Sequence, residues 1–142
     1  MKFKFSLEPV LKVRQHQEKV QKQKLAEEVS KKNKITNLRN EVKGKLESYL
    51  NANEEKETGT VNDIKRHNTH LVNVHAHITK LEVQENKADQ KVKKERDELA
   101  EAFKKLSILE KVKESEYSVF MKDSSRKDQK FMDEISSQSY TR

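Results

Sequence analysis

At 142 residues the chain has room for one domain, and with 39% charged, 32% apolar and 6% aromatic residues it is too lean for a thick globular core. It has no cysteine, which excludes disulfides and thiolate chemistry, and no apolar run near the ~20 residues that span a bilayer. The net charge of +7 suits an acidic partner, a nucleic acid or an anionic membrane, but the 31 basic residues are mixed with 24 acidic ones, as on a solvated helix surface.

Met1-Lys2-Phe3-Lys4-Phe5 is charged and lacks the apolar stretch of a signal peptide, so a cytoplasmic protein is expected. Gly occurs twice and Pro once, the sparing use that long helices need. A first helix is predicted over about 7–52. Ser6 looks like its N-cap, Glu8 the acidic first turn and Pro9 an early-turn proline. Leu7, Leu11, Leu25, Ile35, Val42, Leu46 and Tyr49 follow a 3/4 spacing along it. Arg14, Glu18, Gln21, Glu28, Lys32 and Arg39 fall on the same seam. Gly44 weakens this helix locally. A turn is predicted over about 53–60, where the pattern lapses and Gly59 stands.

Thr60 and Asp63 mark the start of a second helix, over about 61–121 or beyond, roughly 90 Å long at 1.5 Å per residue. Steps of seven from Ile64 meet Leu71, Ile78, Glu85, Val92, Leu99, Leu106, Lys113 and Phe120. Steps of seven from His67 meet Val74, Leu81, Ala88, Glu95, Ala102, Leu109 and Glu116. Twelve of these seventeen slots are apolar, which is the a/d seam of a coiled coil. Folding the chain back about the turn pairs Leu46–Leu71, Val42–Val74, Ile35–Leu81, Leu25–Val92, Leu11–Leu106 and Leu7–Leu109. The same register sets Lys32 opposite Glu85, Tyr49 opposite His67 and, less favourably, Glu18 opposite Leu99. The expected fold is therefore all-α, a single domain built as a long two-helix antiparallel coiled-coil hairpin. Residues after about Val112 find no partner in this register. Phe120, Phe131, Met132 and Ile135 then sit on an overhanging C-terminal arm, polar over about 122–142 and broken by the run 122–130.

No catalytic, metal or cofactor residues emerge. His67 and His70 could share a helix face, but His16 is remote and His75 and His77 point apart, so three or four ligands do not converge. Carboxylates on a two-helix rod are not walled off from water, and no Gly-rich phosphate loop exists, so neither catalysis nor small-molecule binding is expected. Nucleic-acid binding is not expected either. A basic zipper places a dense Lys/Arg block before its heptads, whereas these follow the acidic Glu54-Glu55-Lys56-Glu57. The residues favour protein partners. One candidate surface lies near the hairpin turn, where Leu50 and Val72 point off the seam beside Leu46, Tyr49 and Leu71, with the Tyr49 hydroxyl at the edge.

Phe3-Lys4-Phe5-Ser6-Leu7-Glu8-Pro9-Val10-Leu11-Lys12-Val13-Arg14 resembles the opening of the FliJ family, an F-x-F-x-L-E-x-V-L-x-x-R type segment. Asp128-Gln129-Lys130-Phe131-Met132-Asp133-Glu134-Ile135 is similar to the D-Q-K-x-M-D-E stretch near the end of family members. The L-E-P-V-L opening is shared with the YscO-type stalk proteins of virulence type III secretion, so that family stays open as an alternative, as do a generic coiled-coil scaffold and, on the basic surplus alone, a nucleic-acid-binding protein. The resemblance implies a flagellar type III export component, cytoplasmic and peripheral to the inner face of the cell membrane. It implies as partners the hexameric export ATPase, the export gate membrane protein and export chaperones, for a chain monomeric when alone. The second motif becomes a candidate partner-binding segment on the arm.

Overall fold

Two reciprocal hydrogen bonds start the second helix. Thr60 N–H donates to Asp63 Oδ2 at 3.1 Å and Asp63 N–H to Thr60 Oγ1 at 3.3 Å, so two otherwise orphaned donors are satisfied. The computed structural model describes residues 2–54 and 59–140, and among these holds two helices and no strand. They are α1 (Glu8–Glu54) and α2 (Val61–Tyr140), packed against each other as an antiparallel hairpin. Of the expected turn and its acidic patch, residues 55–58 lie outside the described residues.

The start of α1 is one residue later than Ser6 suggested. Leu7 C=O accepts the first α-helical bond, from Leu11 N–H at 2.9 Å, so Leu7 takes the N-cap position. Ser6 Oγ turns instead toward Glu116 Oε1 at 3.5 Å. Gly44 does not interrupt α1. It is exposed, and a Cβ built there meets nothing within 4 Å. Gly44→Ala is therefore expected to stabilise the protein by up to about 1 kcal/mol, because it removes unfolded-state entropy at no steric cost. A chemical denaturation midpoint that falls would contradict this.

The chain falls into two compact units. Unit 1 comprises Met1–Val20 with Ala100–Arg142, and unit 2 comprises Gln21–Leu99. In unit 2 the α2 seam buries Ile78, Leu81, Ala88 and Val92, while His67, Leu71, Val74, Glu85, Glu95 and Leu99 are half-buried. Each fully buried aliphatic side chain contributes roughly 1.5–3 kcal/mol over exposure. Ile64, also on the heptad, is 57% exposed. The register sets it against Ala52 and Asn53, which offer no bulky apolar side chain.

Polar seam residues of α1 find polar partners in unit 2. Gln21 Nε2 donates to Glu95 and, at 3.3 Å, to Glu98. Lys32, however, does not meet Glu85. Its ammonium lies 2.7 Å from Asp89 Oδ1, and Glu85 is held by Arg39 and by Thr36 Oγ1 at 3.2 Å. Helical side chains lean toward their own N-terminus. In an antiparallel pair the Lys32 tip thus drifts toward higher numbers on α2, and Glu85 toward higher numbers on α1. Backbone register and tip contacts differ by about one turn for this reason. The Lys32 hydrogen bond, reinforced by its charge and that of Lys93, holds the Asp89 carboxyl below the usual carboxylate range.

Unit 1 has its own core. Phe5, Leu11 and Leu106 are buried together, with Phe3, Leu109 and Val112 packed against them. Leu11 and Leu106 meet as the fold-back required. Leu7, paired with Leu109 in that register, is exposed instead, and Phe5 occupies the cluster. Partners also extend past Val112. The Phe3 ring lies 5.3 Å from Tyr117, edge-on, and 5.5 Å from Phe120. Glu8 meets Lys113 at 3.1 Å. The cause is local conformation: residues 2–5 are not helical, and an extended chain advances about 3.3 Å per residue against 1.5 Å in a helix. The first residues therefore reach further along α2 than a helical count allows, and Phe120 belongs to the packed part.

Candidate functional site

The surface near the turn lies in unit 2. Leu46, Tyr49 and Leu71 are half-buried, whereas Leu50 and Val72 are exposed, Val72 at 66%. The Tyr49 hydroxyl is not free at the patch edge. Its oxygen is 2.8 Å from His67 Nδ1, and its ring stacks on His67 at 5.4 Å and meets His70 edge-on at 4.5 Å. Tyr49 thus stands opposite His67 as the register required. His70 as a second ring neighbour was not foreseen, although its place three residues after His67 could have signalled it. The apolar side chains open to a partner here are Leu50 and Val72. The Tyr49 ring, half-buried and held against His67 and His70, leans to the opposite edge of the seam from these two.

The C-terminal segment lies in unit 1. The polar run 122–130 does not break α2, which continues to Tyr140. Asp128, Gln129, Lys130, Phe131, Met132, Asp133, Glu134 and Ile135 are all exposed, with Phe131 at 63% and Met132 at 62%. The original seam turns polar past Phe120, at Asp123, Lys127, Lys130 and Glu134. A second stripe at 3/4 spacing takes over, passing through Tyr117, Met121, Ser124, Asp128, Phe131 and Ile135. Four of its six residues are apolar or aromatic, and those four are exposed. Tyr117 and Met121 were missed from sequence because the stripe is offset by one residue from the main heptad, which places it about 100° round the helix from the seam. Beyond Tyr117, whose ring meets Phe3, such an exposed amphipathic stripe is the form in which a helix docks into another protein's groove.

Among the described residues, no group of three or more His, Asp or Glu side chains could hold a metal ion, and no helix is long and apolar enough to cross a membrane. No curated protein and no solved structure matches the chain. A family model described as the flagellar FliJ protein matches residues 3–142, both motif segments included. Two antiparallel helices, an aromatic opening packed on α2 and a family match over essentially the whole length lead to one conclusion: the chain belongs to the FliJ family, a component of the flagellar export apparatus.

Proposed function

We propose that this chain is a non-enzymatic, cytoplasmic coiled-coil stalk, peripheral to the inner face of the cell membrane, that binds the hexameric export ATPase, the export gate and export chaperones. The observation that carries this reading is the exposed stripe of Phe131, Met132 and Ile135 on an α2 end whose seam has turned polar. A helix end with unspent apolar surface suits a central partner better than solvent. The face around Leu50 and Val72 is the second contact, toward the gate.

Deletion of residues 126–142 tests the first contact. The melting midpoint should stay nearly unchanged, because residues 126–140 are exposed along their length. Association with the purified ATPase should weaken by several hundredfold, as expected when two apolar anchors of about 2 kcal/mol each are lost. A large fall in melting temperature, or ATPase binding at wild-type strength, would overturn the assignment. In parallel, Leu50→Ser/Val72→Ser should retain ATPase binding while losing gate binding and motility.

A further inference from the structure

The charges of the chain look evenly mixed along the sequence, but the hairpin sorts them by face. Between Arg66 and Lys94, α2 holds three acidic residues, and α1 engages all of them. Glu82 meets Lys43 at 3.1 Å, Glu85 meets Arg39, and Asp89 meets Lys32. Take Ile64 and Leu11 as a positions and His67 and Gln21 as d positions. Lys43 and Glu82 are then both e residues, so the e positions of the two helices line one edge. Tyr49 and Gln21, both d residues, reach His70 and Glu98 at g, so the g positions line the other edge.

That second edge and the adjoining c positions are almost free of acid. On α2 they present Arg66, Lys80, Lys87, Lys91 and Lys94, with only His, Asn and Gln between them, and all five are exposed. None of the five is in an ion pair among the described residues. The facing positions of α1 add Lys24, Lys31, Lys34 and Lys45, against Glu27 and Glu41. Over residues 22–50 of α1 and 66–94 of α2 this face therefore carries nine basic and two acidic residues, a surplus equal to the +7 of the entire chain, and Glu98 is the next g residue beyond it. In these two paired stretches all of the net charge is gathered on one side; the remaining five basic residues there balance five acidic ones.

We propose that this lysine face lies against the anionic phospholipid headgroups of a membrane. The row from Arg66 to Lys94 is roughly 42 Å long at 1.5 Å per residue. Two such rows make an array of flexible ammonium groups, which suits a surface of phosphates with no fixed geometry. A duplex fits less well, because eight of the nine cations are lysines, which act as point charges, and only Arg66 offers the planar fork favoured in nucleic-acid recognition. The face carries no Phe, Tyr or Trp on which a single strand could stack, and the His70 ring is already engaged by Tyr49. Each lysine held at an anionic surface strengthens binding by roughly fivefold. The effect reaches about a Debye length, so it fades at high salt. This role rests on the membrane-peripheral part of the proposed function and names its surface; the assay contains only the chain and lipid, so its failure leaves the ATPase and gate contacts standing.

The test is co-sedimentation of the full chain with vesicles of phosphatidylglycerol and phosphatidylcholine, and with vesicles of phosphatidylcholine alone. Binding should require the anionic lipid and vanish in concentrated salt. Lys80→Gln/Lys87→Gln/Lys91→Gln/Lys94→Gln should weaken it by a hundredfold or more while circular dichroism stays unchanged, because Gln is as good a helix former as Lys. The same four positions changed to Arg should retain binding, so a folding defect is distinguished from charge loss. A control with equal charge loss elsewhere, Lys12→Gln/Lys19→Gln/Lys104→Gln/Lys111→Gln, should bind nearly as the wild type does. Absence of vesicle binding, equal loss in the two glutamine variants, or tighter binding to a DNA duplex or to polyglutamate than to the vesicles would each overturn the proposal.

Discussion

Leu81→Asp is expected to abolish most of the helicity of the protein. Leu81 is 3% exposed in the unit 2 seam, between Ile78 and Ala88, which are buried with it. Truncating such a side chain to Ala costs about 2–5 kcal/mol, and an unpaired buried charge adds several more. A whole domain is stable by only about 5–15 kcal/mol, so the sum is comparable to the total. A two-helix seam has no third layer from which a cation could turn inward, and the cations already at the seam, Lys32 and Arg39, are engaged by Asp89 and Glu85. Far-UV circular dichroism across a thermal ramp would read the outcome. Leu81→Ala should melt early but cooperatively. Val83→Asp, at a 49% exposed position two residues away, should change stability by no more than about 0.5 kcal/mol. A Leu81→Asp protein that kept a cooperative, highly helical melt would sink the assignment of Leu81 to the core.

What could be read from sequence follows from how strongly each feature is repeated. The α2 seam is written many times over, and all but Ile64 of its seventeen heptad slots are buried or half-buried. The Thr60 cap was legible because its chemistry is local. The partner of Lys32 was not, because residue spacing describes backbones, and the lean of long side chains then moves their tips by a turn. The stripe through Tyr117, Met121, Phe131 and Ile135 was only half visible, since its register is offset from a stronger one. The one-sided basic face was hidden for a different reason. A count along the chain mixes acids and bases that the hairpin places on opposite edges, and only the cross-helix pairs Lys43–Glu82 and Gln21–Glu98 show which edge is which.

The aromatic opening shows how a family motif can be structural in origin. Phe3→Ala/Phe5→Ala should loosen unit 1 severely. Phe5 is 7% exposed and packs with Leu11 and Leu106, and Phe3 touches the rings of Tyr117 and Phe120. Emptying a buried Phe site costs about 3–5 kcal/mol, and each aromatic pair lost adds about 0.5–1.5 kcal/mol. Because Phe3 and Phe5 precede α1, no helical backbone bonds hold them, and ring burial is what ties the segment down. Amide hydrogen exchange separates this local effect from a general one, since cooperative units open with their own free energies. Protection over residues 106–120 should fall on the order of a hundredfold, or more, for a loss near 3 kcal/mol. Protection over residues 78–92, in the unit 2 core, should fall much less. Phe3→Leu/Phe5→Leu should recover most of the protection by refilling the volume, so the effect is one of packing. Equal loss of protection in both segments would show a single cooperative unit, and no loss at residues 106–120 would show that the two rings are not what holds the opening of the chain to α2.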